Sequence, residues 1–224
     1  MPPGSHPPLS QISGPGAFAR RFGVPRETLD RLKLHAELLG EWQPAINLVA
    51  PSTLPELWHR HMADSAQLVE EVPFEARTLI DLGSGAGFPG LVLAIMLADR
   101  PRLKVTLIES DQRKSAFLRE VARQTAIPVD ILSTRIETAE TQSKVGTGDV
   151  VTARALAPLE RLLGWCRPYW APGTVGLFLK GRDVQAELNE AGTRWLFDVA
   201  LRPSLTEPDA RIVIVRRLRA KGEG

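Results

Sequence analysis

Gly83, Gly85 and Gly87 alternate in LIDLGSGAGFPGLVLAI, residues 79–95, straight after an apolar run that carries Asp81. Glycines spaced in this way allow positive φ and remove side chains where a ligand would touch backbone. Pro89 suits a first helical turn, where its missing N–H is no loss. The free amides at that helix start, with the helix dipole behind them, attract a negative group. Residues 85–90 also fit G-x-G-x-x-G, a pattern that is weak by itself. Context strengthens it, because Glu109 ends the run KVTLIE 22 positions after Gly87, where a carboxylate can receive both hydroxyls of a ribose.

Nicotinamide dinucleotides and S-adenosylmethionine both contain that ribose, and two features favour the methyl donor. Asp81 stands where a carboxylate could meet a cationic amino group but would repel pyrophosphate; a hydrogen bond within the turn is its purely structural alternative. The second feature is the end of the chain. Only RPSLTEPD separates WLFDVAL from ARIVIVRR, too short for a crossover helix and suited to a hairpin, so the sheet is expected to close with an antiparallel pair.

The elements that must position these residues are legible from patterning. Leu29, Leu32, Ala36, Leu39 and Trp42 recur at helical spacing from Pro25 onward. Thr53 with Glu56 three residues later suggests a capping box that opens a second helix through LPELWHRHMADSAQLVEE. After Pro73 the runs TLIDL, KVTLIE, PVDIL, DVVTAR and VGLFLKG alternate with helical stretches, which implies βαβ units and a parallel sheet covered on both faces. The expected division is a floppy Pro/Gly/Ser-rich leader (1–16), a helical cap (17–73), a catalytic domain (74–218) and a basic tail (219–224).

Composition excludes several classes. With 28 basic and 26 acidic residues, no strong global field draws the chain to polyanions, so any such site must be a local patch. Cys166 is the only cysteine; it allows no internal disulfide and is expected to be a packing residue. The longest apolar stretches are too short to span a bilayer, and no secretory signal opens the chain. A cytoplasmic protein without a membrane segment is expected. His59 and His61, two apart, should face different sides of a helix, so no metal site is expected.

LIDLGSGAGFPGLVLAI, with LIESDQRKSAFLREV, STRIE, TARAL and LFLKG in order and NLVAPSTLPELWHRHMADS before them, resembles the ribosomal small-subunit methyltransferase G family, also called glucose-inhibited division protein B. The resemblance covers roughly residues 25–217. It implies a Rossmann-like α/β methyltransferase with a mainly parallel seven-stranded sheet, using S-adenosylmethionine to methylate N7 of one guanine in the 530 loop of 16S ribosomal RNA. It also implies that Gly83, Gly85 and Phe88 line the methionine half of the donor, to which the reading of the residues adds Asp81 and Gly87. Glu109 would hold the ribose, Ile136 and Glu137 would flank the adenine, and Arg154 would reach the donor or the incoming base. The family's N-L-T is Asn47, Leu48 and Val49 here, which puts a hydroxyl role in doubt, whereas R-H-x-x-D-S survives as Arg60, His61, Asp64 and Ser65.

Guanine N7 has a lone pair and no proton, so its methylation needs no general base and rests on positioning. Arg154, His61 and Asn47 are the positioning candidates, the latter two on a cap that would act as a lid. For RNA phosphates the candidates are Arg113 and Lys114, Lys180 and Arg182, with Arg20, Arg21 and the tail from Arg216 behind them. The partner expected is 16S ribosomal RNA in a small subunit or assembly intermediate, met by a monomer, because paired RNA hides N7 in a deep narrow groove. Rival readings are a methyltransferase for a small molecule or protein, a nicotinamide-dependent reductase, and a non-catalytic donor-binding assembly factor.

Overall fold

The computed structural model describes residues 11–222; the first ten residues of the expected leader and the last two of the tail lie outside the described residues. Seven strands form one sheet in the order β3-β2-β1-β4-β5-β7-β6. They are β1 (Thr78–Leu82), β2 (Lys104–Ile108), β3 (Asp130–Leu132), β4 (Gly148–Arg154), β5 (Trp170–Lys180), β6 (Trp195–Pro203) and β7 (Arg211–Ala220). The first five run parallel, and β7 pairs antiparallel with both β5 and β6. The hairpin read from the short RPSLTEPD spacing is therefore present. Strand order reverses between β1 and β4, the place where open α/β sheets leave a crevice for ligands at their carboxyl ends.

The helices that cover the sheet follow the apolar periodicity. On one face lie α1 (Pro15–Phe22), α2 (Arg26–Trp42), α4 (Gly90–Met96) and α5 (Gln112–Thr125). Leu32, Leu39 and Met62 of the cap and Leu79, Leu91 and Phe117 beneath them form one continuous core. The opposite face buries Ile80, Leu82, Val151 and Val213 against α7 (Leu159–Cys166) and α8 (Val184–Arg194), with Val145 of α6 (Ala139–Val145) packed beside them. Cys166 is fully buried there, and burial pushes its thiol well above the usual range. Asp111 caps α5 by accepting from the amides of Arg113 and Lys114 at 2.8 and 3.1 Å, worth about 1 kcal/mol.

Two expectations need correction. Helix α1 begins at Pro15, inside the stretch read as leader, because proline fits a first helical turn. The second cap helix is broken: a 3-10 turn (Pro51–Glu56), a π turn (Trp58–Ala63), one α turn, α3 (Asp64–Ala66), and a further 3-10 turn (Gln67–Glu71). No capping box forms, since the Thr53 hydroxyl donates to the carbonyl of Ala50 at 2.7 Å and meets His61. Among the described residues no helix is long and apolar enough to cross a membrane.

Candidate donor and substrate site

The turn from β1 into α4 is shaped by backbone bonds that only an open loop can make. The amides of Gly83 and Ser84 both donate to the carbonyl of Ile108 at 2.9 and 3.1 Å, folding the loop over the end of β2. Gly83, Gly85 and Gly87 adopt φ of 66, 53 and 89°, a region side chains disfavour. A Cβ on Gly85 would meet nothing closer than the Gly83 carbonyl at 3.9 Å, so the space above it is open. Glu109 stands at that edge, its carboxylate accepting from the amides of Gly85 and Asp111 at 2.8 Å each.

Beside this loop lies a cleft of about 250 Å³ lined by Gly83, Ile108, Thr134, Ile136, Glu137 and Leu156. It brings together three of the sequence-derived donor residues, Gly83, Ile136 and Glu137. Apolar walls at Ile108 and Ile136, a carboxylate at its mouth and side-chain-free backbone beside it suit an adenosine. Glu109→Ala should weaken donor binding by about 1.5–3 kcal/mol, the range for a hydrogen bond to a charged group. Titration calorimetry would measure this, and unchanged affinity would remove Glu109 from the site.

Asp81 and Phe88 flank the same loop and have protein partners of their own. Asp81 is fully buried below the loop, accepting from the Thr152 hydroxyl of β4 at 2.7 Å. A Cβ on Gly90 would come within 2.6 Å of its carboxyl, so glycine alone lets α4 start there. Burial raises the Asp81 carboxyl to about 6, and its bond to Thr152 braces the turn from below. The Phe88 ring packs between His35 at 5.2 Å and His61 at 5.1 Å, with the Arg154 guanidinium 5.0 Å above it.

His35 was not singled out from the sequence, where it sits inside the apolar stripe of α2. Its Nε2–H donates to the carbonyl of Ala86 at 2.8 Å, so the cap holds the glycine loop directly. The only signal for it was a polar residue on a buried helical face.

Arg154, at the carboxyl end of β4, is the hub of the second half of the site. Its guanidinium donates to the Arg60 carbonyl at 3.1 Å, to Asp64 at 3.4 Å and to His61 Nδ1 at 2.8 Å. His61 Nδ1 is therefore the acceptor and its Nε2–H donates to Thr53 at 2.7 Å. Burial, then the Arg154 and Arg60 charges, lower the His61 imidazolium to about 3, so the ring is neutral. Asp64 also accepts from Thr206 at 2.9 Å; burial raises its carboxyl above the usual range while Arg154 pulls it back. Arg60, His61, Asp64, Arg154, Lys180 and Arg211 border a cleft of about 720 Å³ that adjoins the smaller one at Leu156.

These observations can be set beside known proteins. The model of the family described as rRNA small subunit methyltransferase G matches residues 28–212. The chain belongs to that family. Its relatives named ribosomal RNA small subunit methyltransferase G include that of Parvibaculum lavamentivorans, 52% identical over 93% of this chain and 91% of the relative. That of Paramagnetospirillum magneticum is 52% identical over 92% of this chain and 96% of the relative. Among solved structures, an SAH-bound methyltransferase of Podospora anserina aligns over 96% of this chain and 99% of its own, with TM-score 0.59 and 13% identity. The SAH complex of a Bacillus cereus O-methyltransferase aligns over 89% and 96%, with TM-score 0.58 and 13% identity. With both, the chain shares the Rossmann-like methyltransferase fold.

The other expected residues make no bond to Arg154 or His61. Asn47 is exposed, its side chain accepting from Gln43 at 3.4 Å, and does not join His61 and Arg154. Lys180 borders the larger cleft but already has partners: half-buried, it donates to Glu187 and to the Ala157 carbonyl at 2.6 Å each. Arg182 is exposed. Exposed Arg113 and half-buried Lys114 start α5, and Arg113 donates to the carbonyl of Ala45 in the cap. His59 and His61 do separate, His59 bonding the Thr206 carbonyl at 3.0 Å while His61 meets Arg154.

Burial also lowers His35, to about 4. With folded values below the ordinary 6.5, the unfolded chain takes up these two protons first, so stability drains as pH falls from about 6.5 toward 4. Asp81 and Asp64 oppose this, because their raised values favour the folded state as pH falls through them. The His35 share is isolated by comparison: in His35→Gln, which keeps an N–H for Ala86, the urea midpoint should lose less, or gain more, between pH 7 and pH 5 than that of the natural chain; an equal change would rule His35 out as a source.

Proposed function

We propose that the protein transfers the methyl group of S-adenosylmethionine to N7 of one guanine in the 530 loop of 16S ribosomal RNA. The observation that carries this reading is the joining of two clefts, an adenosine-sized one at the glycine loop and a larger one ringed by arginines, in a chain of this family. The donor supplies an electrophilic methyl on a sulfonium, and the residues here supply placement. Gly83, Gly85, Glu109, Ile136 and Glu137 would hold it. Arg154 keeps guanidinium donors beyond those bound to Arg60, Asp64 and His61, and O6 of guanine is an acceptor that such a donor can hold while the N7 lone pair stays free for the methyl group.

The His61 ring supports a base-free reaction. Its Nδ1 lone pair is taken by Arg154 and its Nε2–H by Thr53, so it orients the arginine and abstracts no proton. N7 methylation asks for none. A target base must leave its stack to enter the cleft, which favours a loop in a small subunit or assembly intermediate over naked helix, with one protein monomer per particle. In this reading residues 15–73 form the cap and 74–218 the catalytic unit, with Arg113, Lys114 and Arg182 at the RNA-facing rim.

Tritiated donor offered to unmethylated small subunits, naked 16S RNA and a protein extract tests the whole reading. Label recovered as 7-methylguanosine from digested subunit RNA is the expected result. Donor binding with label in protein or small molecules instead would put a rival substrate first.

A further inference from the structure

Strand β7 starts beside the larger cleft, where Arg211 pairs with Lys180 of β5, and ends opposite Trp195. At about 3.4 Å per residue its far end lies roughly 25 Å or more from that cleft. Ile212 to Val215 are buried, as a strand inside a covered sheet should be. Beyond them the chain turns basic, with Arg216, Arg217, Arg219 and Lys221 within six residues.

A regular strand would point alternate members of that run to opposite faces. Here the register with β6 slips between Leu196 and Asp198, and Arg217 adopts a φ of 54°, a β-bulge of the kind that re-aims side chains. As a result Arg216 and Arg217 are both exposed while Leu218 stays buried. Arg217 spends its charge on Asp198. Arg216, Arg219 and Lys221 are exposed and pair with no carboxylate among the described residues. A groove of about 560 Å³ runs beside them, bordered by Leu196, Phe197, Asp198, Arg217 and Arg219.

We infer that this end of the hairpin is a second RNA contact, gripping backbone phosphates of the same ribosomal particle while the distant cleft receives the base. The inference rests on the RNA-methyltransferase reading and extends it with a partner surface. A chain with a net charge of only +2 has no long-range pull on a polyanion, so affinity must come from such concentrated patches. Phosphate contacts fix register and orientation without reading sequence. Two separated contacts would set the particle's orientation against the sheet, which one flexible loop in a cleft does not.

The test uses Arg216→Glu, Arg219→Glu and Lys221→Glu together, leaving Arg217 to hold the bulge. Affinity for unmethylated small subunits is measured across a salt series, with donor affinity by calorimetry alongside. Each lost phosphate contact removes about 0.7–0.9 from the slope of log K against log salt. The expected result is a slope shallower by roughly two to three with donor affinity intact. A slope equal to that of the natural chain overturns the inference, as does weaker binding at unchanged slope, which would assign the patch to a protein partner. Should the reversal unfold the hairpin and cost donor affinity, the triple Gln variant decides, its slope falling by the same amount or, if unchanged, overturning the inference. If the natural chain fails to label subunit RNA, the underlying reading fails instead, and the two failures are distinct.

Discussion

Gly85→Leu abolishes donor binding, with affinity falling at least ~100-fold, while the protein stays folded. A φ of 53° costs a side-chain-bearing residue about 1–2 kcal/mol, and the new Cβ meets no atom closer than 3.9 Å. Strain of that size is tolerable against a typical stability of about 5–15 kcal/mol. The damage falls on the ligand, because leucine fills the open space beside Glu109. Calorimetry against donor, with thermal melting as control, measures both effects. A variant that melts a few degrees lower and still binds donor normally would show that the loop is only a turn.

Arg154→Ala should cost both stability and turnover, and the two can be separated. Arg154 and Asp64 are 17% and 16% exposed, and removing one partner of a buried ion pair typically costs about 3–5 kcal/mol. The orphaned Asp64 then holds its proton to higher pH, since the charge that lowered its raised value is gone; the deficit shrinks as pH falls through that value. Adding Asp64→Asn removes the stranded charge and should return most of the stability. Turnover on small subunits should remain reduced about 100-fold or more in the double variant, the scale expected when a positioning contact is lost. Recovery of activity with stability would reduce Arg154 to a structural residue.

The parts of the fold that could be read from sequence are those governed by local rules. Strand β1, the glycine turn and the start of α4 follow from an apolar run, three glycines and a proline, and the short RPSLTEPD spacing implied the hairpin. The broken segment from Pro51 to Glu71 escaped such rules. Its path is set by tertiary partners: Thr53 serves His61, and Gln67 accepts from the Leu205 amide at 2.8 Å. Lys180 looked like a free cation in LFLKG because nothing nearby announces Glu187, which arrives from the following helix. Phe88 belongs to the donor motif by position, yet its ring serves the cap. Local grammar specifies where a turn stands, and long-range packing decides which way its side chains face.

The tie between Asp64 and Thr206, with Gln67 to Leu205 and His59 to Thr206 beside it, spans 138–147 positions of sequence. Contacts this remote carry a large loop-closure cost and form late. The cap is synthesised first, but the bonds that Asp64, Gln67 and His59 make to the 204–206 loop cannot form until that loop has left the ribosome. The nascent chain must therefore carry an unsatisfied N-terminal segment through nearly all of its own translation, and chaperone dependence during synthesis, rather than equilibrium stability, is where destabilising changes in that segment should first be felt.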